Sequence, residues 1–161
     1  MTDSEKFGPY FTYSVECVGA DGAVKWREQY TNLVTTAGKT DIIDKYFKGS
    51  AYTAAWFLGL KGAGTPVNGD TLASHASWAE VAPYTGNRSA ITFGTTAAGS
   101  NTATAVSYAI TAAGPTTVAG AFVCSATSGT AGTLYSAGDY AVSRSVVAGD
   151  TLNTTLTVSA T

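Results

Sequence analysis

The alternation of apolar and polar residues between Val118 and Thr161 is the feature that most restricts how this chain can fold. In the last run, 151–158, leucine, threonine and valine occupy one set of alternate positions, while threonine and asparagine occupy the other. A period of two with many β-branched residues is typical of strands that bury one face. Gly-Asp pairs at 137–139 and 148–150 predict turns, so we expect an antiparallel meander here.

Similar runs along the whole chain predict an all-β fold, an antiparallel β-sandwich of jelly-roll or immunoglobulin-like type. Pro9–Cys17 and Val24–Tyr30 are expected to pair as a hairpin. Ala54–Leu60 is continuously apolar, which predicts a strand covered on both faces. We therefore expect a flexible N-terminal arm, residues 1–8, followed by a single sandwich domain, residues 9–161.

One short helix is predicted near residues 41–47, where four apolar residues recur at helical spacing. Thr40 is the expected N-cap, and Gly49 is expected to end the helix. We expect this helix to close one end of the sandwich.

Charged residues make up only 12% of the chain, about half the usual share, and the net charge is -2. From Ile91 onward the charged residues are Asp139, Arg144 and Asp150. Surfaces of small polar residues suit a protein whose faces meet neighbours in an assembly, because burying charge is costly. A threonine-rich sandwich without partners has the same composition, so this alternative stays open.

The same composition speaks against several partners. A basic stripe for direct nucleic-acid binding is missing, and no apolar run has the length needed to span a membrane. Met1–Lys6 is polar and acidic, unlike a secretory signal. We expect the protein to stay in the cytoplasm or to leave by a route other than signal-directed export.

Catalytic motifs are not recognisable, and we predict neither an enzyme nor a cofactor or metal site. His75 is the single histidine, and it lies in no Gly-x-Ser-x-Gly context. Cys17 and Cys124 lie in strand-like runs and are expected to be buried free thiols. One histidine and two distant cysteines do not provide a zinc site.

The candidate functional residues are instead those of an interface: Trp26, Trp78, Glu80, Tyr84 and Arg88. Trp26 and Trp78 have polar neighbours in sequence. An aromatic anchor near one glutamate and one arginine is the composition of an interface hot spot. Exposed tryptophan and tyrosine could alternatively stack on sugars.

Turn-and-strand motifs of this chain resemble those of small structural proteins of tailed bacteriophages, over roughly Asn32 to Thr161. The motifs are Trp56–Leu60, Asn68–Leu72, Trp78–Glu80, Tyr84, Asn87–Arg88, Gly120–Phe122, Gly132–Leu134 and Ala148–Asn153. The resemblance implies a virion protein that is assembled in the host cytoplasm. Within that class we favour a capsid decoration or cement protein that binds the major capsid protein on the outside of the head and self-associates there as a dimer or trimer. The alternative is a tail- or fibre-associated adhesion module that binds a host surface glycan.

Overall fold

Two antiparallel sheets face each other in the computed structural model, which describes residues 8–160. The predicted all-β sandwich with one short helical segment is therefore confirmed. The predicted arm lies outside the described residues except for Gly8. The strands are β1 (Pro9–Val18), β2 (Val24–Thr31), β3 (Leu33–Val34), β4 (Phe57–Lys61), β5 (Glu80–Val81), β6 (Ser89–Ala90), β7 (Ser100–Thr102), β8 (Val106–Ala109), β9 (Thr116–Cys124), β10 (Leu134–Val146) and β11 (Thr151–Ala160).

The first sheet has the order β2-β1-β11, with β7 and β8 both pairing with the far edge of β11. The predicted hairpin of β1 and β2 is present, and its turn is closed by a 2.8 Å hydrogen bond from the Gly19 amide to the Ala23 carbonyl. The strands β1 and β11 pair over their full length, from Pro9 with Ala160 to Val18 with Thr151.

The second sheet has the order β3-β10-β9-β4-β5, with β6 also pairing with β4. The predicted C-terminal meander is wrong, because only β9 and β10 form a hairpin and β11 crosses to the first sheet. The predicted turn at 137–139 is also wrong. Leu134–Val146 is one strand whose register with β9 shifts between Asp139 and Arg144, so the Gly-Asp pair lies in a bulged strand rather than in a turn.

The second sheet is covered on both faces. Its inner residues, among them Leu58, Leu60 and Val123, pack against Phe11 and Tyr13 of the first sheet. A second apolar cluster lies on the outer face, beneath the long connection from β4 to β6. Its members are Leu72, Trp78, Phe122, Cys124, Leu134 and Ala137. The prediction of a strand covered on both sides is confirmed for β4, although the strand begins at Phe57 rather than Ala54.

The helical segment is longer than predicted and begins earlier. Helix α1 spans Thr36–Ile42, and a π-helical turn, Ile43–Phe47, continues it. The N-cap is Thr35 rather than Thr40, since the Thr35 hydroxyl accepts a 3.0 Å hydrogen bond from the Gly38 amide. No helix within residues 8–160 is long and apolar enough to cross a membrane.

Candidate interaction surface

Arg88, predicted at an interface, is buried and connects three parts of the fold. Its Nε and Nη2 donate to the two carboxylate oxygens of Glu80 at 2.8 and 2.6 Å. Its Nη1 and Nη2 also donate to the carbonyls of Ala126 and Gly129 at 2.9 and 2.8 Å. The hydrogen bond to Glu80 raises the pKa of Arg88. Arg88 therefore fastens the loop after β9 to the outer face of the second sheet.

Trp78 is buried as well, and it forms part of the outer apolar cluster. Its indole Nε1 donates a 2.9 Å hydrogen bond to the Asp70 carboxylate. The His75 ring stacks on the indole with centroids 4.0 Å apart, which gives the single histidine a packing role. Tyr84 stacks on Tyr108 at 4.0 Å, and burial raises the pKa of Tyr84.

These positions argue against the predicted hot spot. Trp78, Tyr84 and Arg88 contact their own chain and are not exposed to a partner. Trp26 of β2 is half-buried against β10. The Arg144 guanidinium of β10 lies 5.3 Å from its ring, and Tyr140 of the same strand packs edge-on against it. Trp26 is thus partly exposed, as is Glu80, and an interface role for these two stays a prediction.

The sequence pattern missed a buried lysine. Lys61 ends β4 and is fully buried. Its Nζ donates to the carbonyls of Gly62 and Gly64 at 3.0 and 2.7 Å and to the Asp139 carboxylate, so all three donors are satisfied. Lys61 and Asp139 both pair with Gly120 in β9, so the intervening residue has no side chain. The signal in the sequence that could have identified Lys61 is its position directly after the apolar run Ala54–Leu60.

Groups suited to catalysis are sparse in the part of the chain that the structure describes. No cluster of three or more histidine, cysteine, aspartate or glutamate residues that could hold a metal ion occurs within residues 8–160. Cys17 and Cys124 are buried free thiols, as predicted. Burial raises the pKa of Cys17 to about 11 and also raises that of Cys124, which disfavours the reactive thiolate.

The most conspicuous exposed feature is an apolar cluster on the helical segment and the loop that follows it, which we call the aromatic surface. It consists of Ile43, Tyr46, Phe47 and Tyr52, which are 57, 79, 69 and 53% exposed. The first three are among the apolar residues whose helical spacing predicted the helix. The π-helical turn is closed by a 3.1 Å hydrogen bond from the Lys48 amide to the Ile43 carbonyl. Such turns are frequent at functional sites.

Helix α1 is held firmly on β10. Gly38 lies so close to Tyr135 that a Cβ atom there would come within 2.6 Å of the Tyr135 carbonyl oxygen. The Tyr135 hydroxyl donates a 2.9 Å hydrogen bond to the Asp41 carboxylate. Because α1 is fixed in this way, the π-helical turn that follows projects its apolar side chains from a defined base.

Two depressions flank the aromatic surface. One has a volume of about 220 Å³ and is lined by Asp41, Ile42, Lys45, Tyr46, Tyr52 and Trp56. The other, of about 260 Å³, is lined by Pro9, Phe11 and Phe93 among others, and it shares Ile42 and Trp56 with the first. The exposed side chains therefore stand beside recesses that a partner's side chains could fill.

The outer face of the first sheet differs in character. Thr102, Thr157, Thr12 and Thr31 are cross-strand neighbours in one row over four strands. The hydroxyls of Thr102 and Thr157 are 2.9 Å apart and hydrogen-bonded. This face is rich in hydroxyl groups and carries little charge, in line with the composition.

Charged side chains mostly pair within the chain. Six ion pairs link described residues: Lys25–Asp150, Arg27–Glu16, Lys48–Asp44, Lys61–Asp139, Arg88–Glu80 and Arg144–Glu28. Among the lysines and arginines of residues 8–160, only Lys39 and Lys45 have no ion pair with a described carboxylate. Both belong to the helical segment that carries the aromatic surface.

No protein-family model matches this chain, and the search of curated proteins found no match.

Proposed function

We propose that this protein is a structural component of a bacteriophage virion, a capsid decoration or cement protein. In this role it binds the outside of the head and stabilises contacts between major capsid subunits, after assembly in the host cytoplasm. The proposal rests on the sequence resemblance to small phage structural proteins and on one structural observation in particular. That observation is the aromatic surface, an exposed apolar cluster on a domain that otherwise pairs most of its charges internally.

Exposed apolar clusters of this kind favour a binding function, because single-chain soluble proteins rarely leave large aromatic groups together in water. Binding to the assembled shell stabilises it by mass action, since a ligand that binds only the intact form shifts the equilibrium towards that form. The sparse charge of the hydroxyl-rich sheet suits contact with neighbouring subunits, including further copies in a dimer or trimer.

The thermal stability of the particle tests this proposal. Heads that lack the protein are expected to release DNA at a lower temperature than complete heads, and addition of the purified protein should restore the difference. Equal release temperatures with and without the protein would refute the proposed function.

One observation favours the adhesion alternative as a second candidate. The depression beside the aromatic surface is lined by Tyr46, Tyr52 and Trp56 together with Asp41, and aromatic rings beside a carboxylate can also bind sugars. Copy number in the particle separates the two. Hundreds of copies indicate the head, whereas roughly three to eighteen indicate the tail on symmetry grounds.

A further inference from the structure

We propose that the aromatic surface, together with Lys39 and Lys45, is the docking surface for a protein partner that presents carboxylates beside an apolar groove. This inference rests on the proposed function and specifies which face of the chain makes the contact and what the contacted surface contains.

The exposed rings of the aromatic surface offer apolar area for a partner to cover. Tyr46 and Phe47 are the two most exposed large apolar residues of the described chain, and their rings pack edge to face at 5.0 Å. Large aromatic residues dominate the binding energy of protein interfaces. The adjacent recess, which Trp56 helps to line, provides a pocket for an apolar side chain of the partner.

Two lysines without ion pairs to described carboxylates give this face its positive charge. Lys39 precedes Ile43 by four residues and so lies on the same side of the helical segment. Lys45 lines the recess, and its Nζ donates a 2.9 Å hydrogen bond to the Ala51 carbonyl. Neither lysine forms an ion pair with a described carboxylate, so this face offers two positive charges to a binding partner.

Residues 36–48 carry three lysines and two aspartates, so the helical segment keeps a net charge of +1. Asp41 accepts the hydroxyl of Tyr135, and Asp44 forms an ion pair with Lys48 at 3.7 Å. Two copies docked through this face would each bring the same net positive charge to the contact, which is unfavourable. The charge distribution therefore favours an acidic partner over self-pairing at this face.

The rigid base strengthens the inference. The close contact of Gly38 with Tyr135 and the cap from Thr35 fix the start of the helical segment before any partner binds. A preorganised surface loses less conformational entropy on binding than a disordered one.

The experiment measures binding of purified protein to heads that lack it, prepared from phage in which its gene is deleted. One test variant replaces both rings, Tyr46→Ser with Phe47→Ser, and a second reverses both charges, Lys39→Glu with Lys45→Glu. The controls are Val142→Ser, which alters an exposed apolar residue on β10, and Asp21→Lys, which reverses an exposed charge in the turn between β1 and β2. Thermal unfolding of each variant checks that it folds.

We expect each double variant to bind at least about ten-fold more weakly than the unmodified protein, and each control within about two-fold of it. Binding of the unmodified protein should weaken as salt is raised, whereas binding of the charge-reversed variant should strengthen, because salt screens attraction and repulsion alike.

Failure of the unmodified protein to bind the heads would overturn the proposed function together with this inference. Binding of the unmodified protein with equal binding of both double variants would overturn the inference alone. A dimer seen by ultracentrifugation that Tyr46→Ser with Phe47→Ser dissociates would show that the face pairs with itself, which also contradicts the inference.

Discussion

Replacement of Arg88 by methionine tests whether this residue holds the fold together or meets a partner. The substitution keeps much of the side-chain length and removes five hydrogen bonds, two to Glu80 and one each to the carbonyls of Ala126 and Gly129 and to the sulfur of Cys124. Removing one partner of a buried ion pair costs about 3–5 kcal/mol. Because the Glu80 side chain is 30% exposed and can be hydrated again, we take the lower end, about 3 kcal/mol.

For a domain of this size, a loss of about 3 kcal/mol corresponds to a fall in Tm of about 6–12 °C. Urea unfolding followed by tryptophan fluorescence, with a thermal scan by circular dichroism, measures both quantities. Arg27→Met is the matched control, since Arg27 is 70% exposed and its pair with Glu16 lies on the surface. That control should change stability by less than about 1 kcal/mol.

Arg88→Lys separates the effect of the charge from that of the hydrogen-bond geometry. Arg88→Lys keeps the charge but cannot bind the carboxylate of Glu80 with two parallel hydrogen bonds, so it should recover only part of the lost stability. If Arg88→Met were as stable as Arg27→Met in the isolated protein, the structural role assigned to Arg88 would be wrong and the interface role would regain support.

Two further predictions concern backbone packing and pH. Gly120→Ala should destabilise the protein by about 2 kcal/mol or more, because a Cβ atom would lie 1.9 Å from the Gly138 carbonyl oxygen, whereas Gly69→Ala, in open space, should be nearly neutral in the same urea assay. Stability should be constant from neutral pH to about pH 9 and should then fall as the pH rises towards 11, because burial raises the pKa of Cys17 from 9.0 to about 11 and the folded state holds this proton more tightly. Buried Tyr13 and Tyr30 also have raised pKa values and extend the loss to higher pH. Cys17→Ala should reduce the fall between pH 9 and 11, and an unfolding midpoint that did not change over this range would contradict the assignment.

The fold class could be predicted because strand alternation is a local property of the sequence. The alternation in 151–158 determines which side chains of β11 face the core, whichever strand lies beside it. Which sheet β11 joins depends on β1, more than 130 residues away in sequence, and no local pattern carries that information. The prediction of a C-terminal meander was wrong for this reason.

Two errors at individual residues have a common physical cause, which is pairing between polar groups that the alternation pattern does not reveal. Asp139 follows a glycine, as turn residues do, yet it lies within strand β10, where its carboxylate accepts a hydrogen bond from Lys61. Trp78 has polar neighbours in sequence, but the Asp70 carboxylate satisfies its indole and permits burial. Conversely, the helical spacing of Ile43, Tyr46 and Phe47 predicted a helix but did not show that these side chains are exposed.

The pairing of β1 with β11 affects the order in which the molecule can be built. The hairpin of β1 and β2 is synthesised before β11, and the side of β1 that β11 covers stays unpaired until Thr151–Ala160 has been synthesised. Contacts of such long sequence separation slow folding, because the intervening loop must be closed before the strand is gained. Completion of the first sheet is consequently a late event after synthesis, and a chain shortened before Thr151 would leave one side of β1 as an unpaired edge open to other chains.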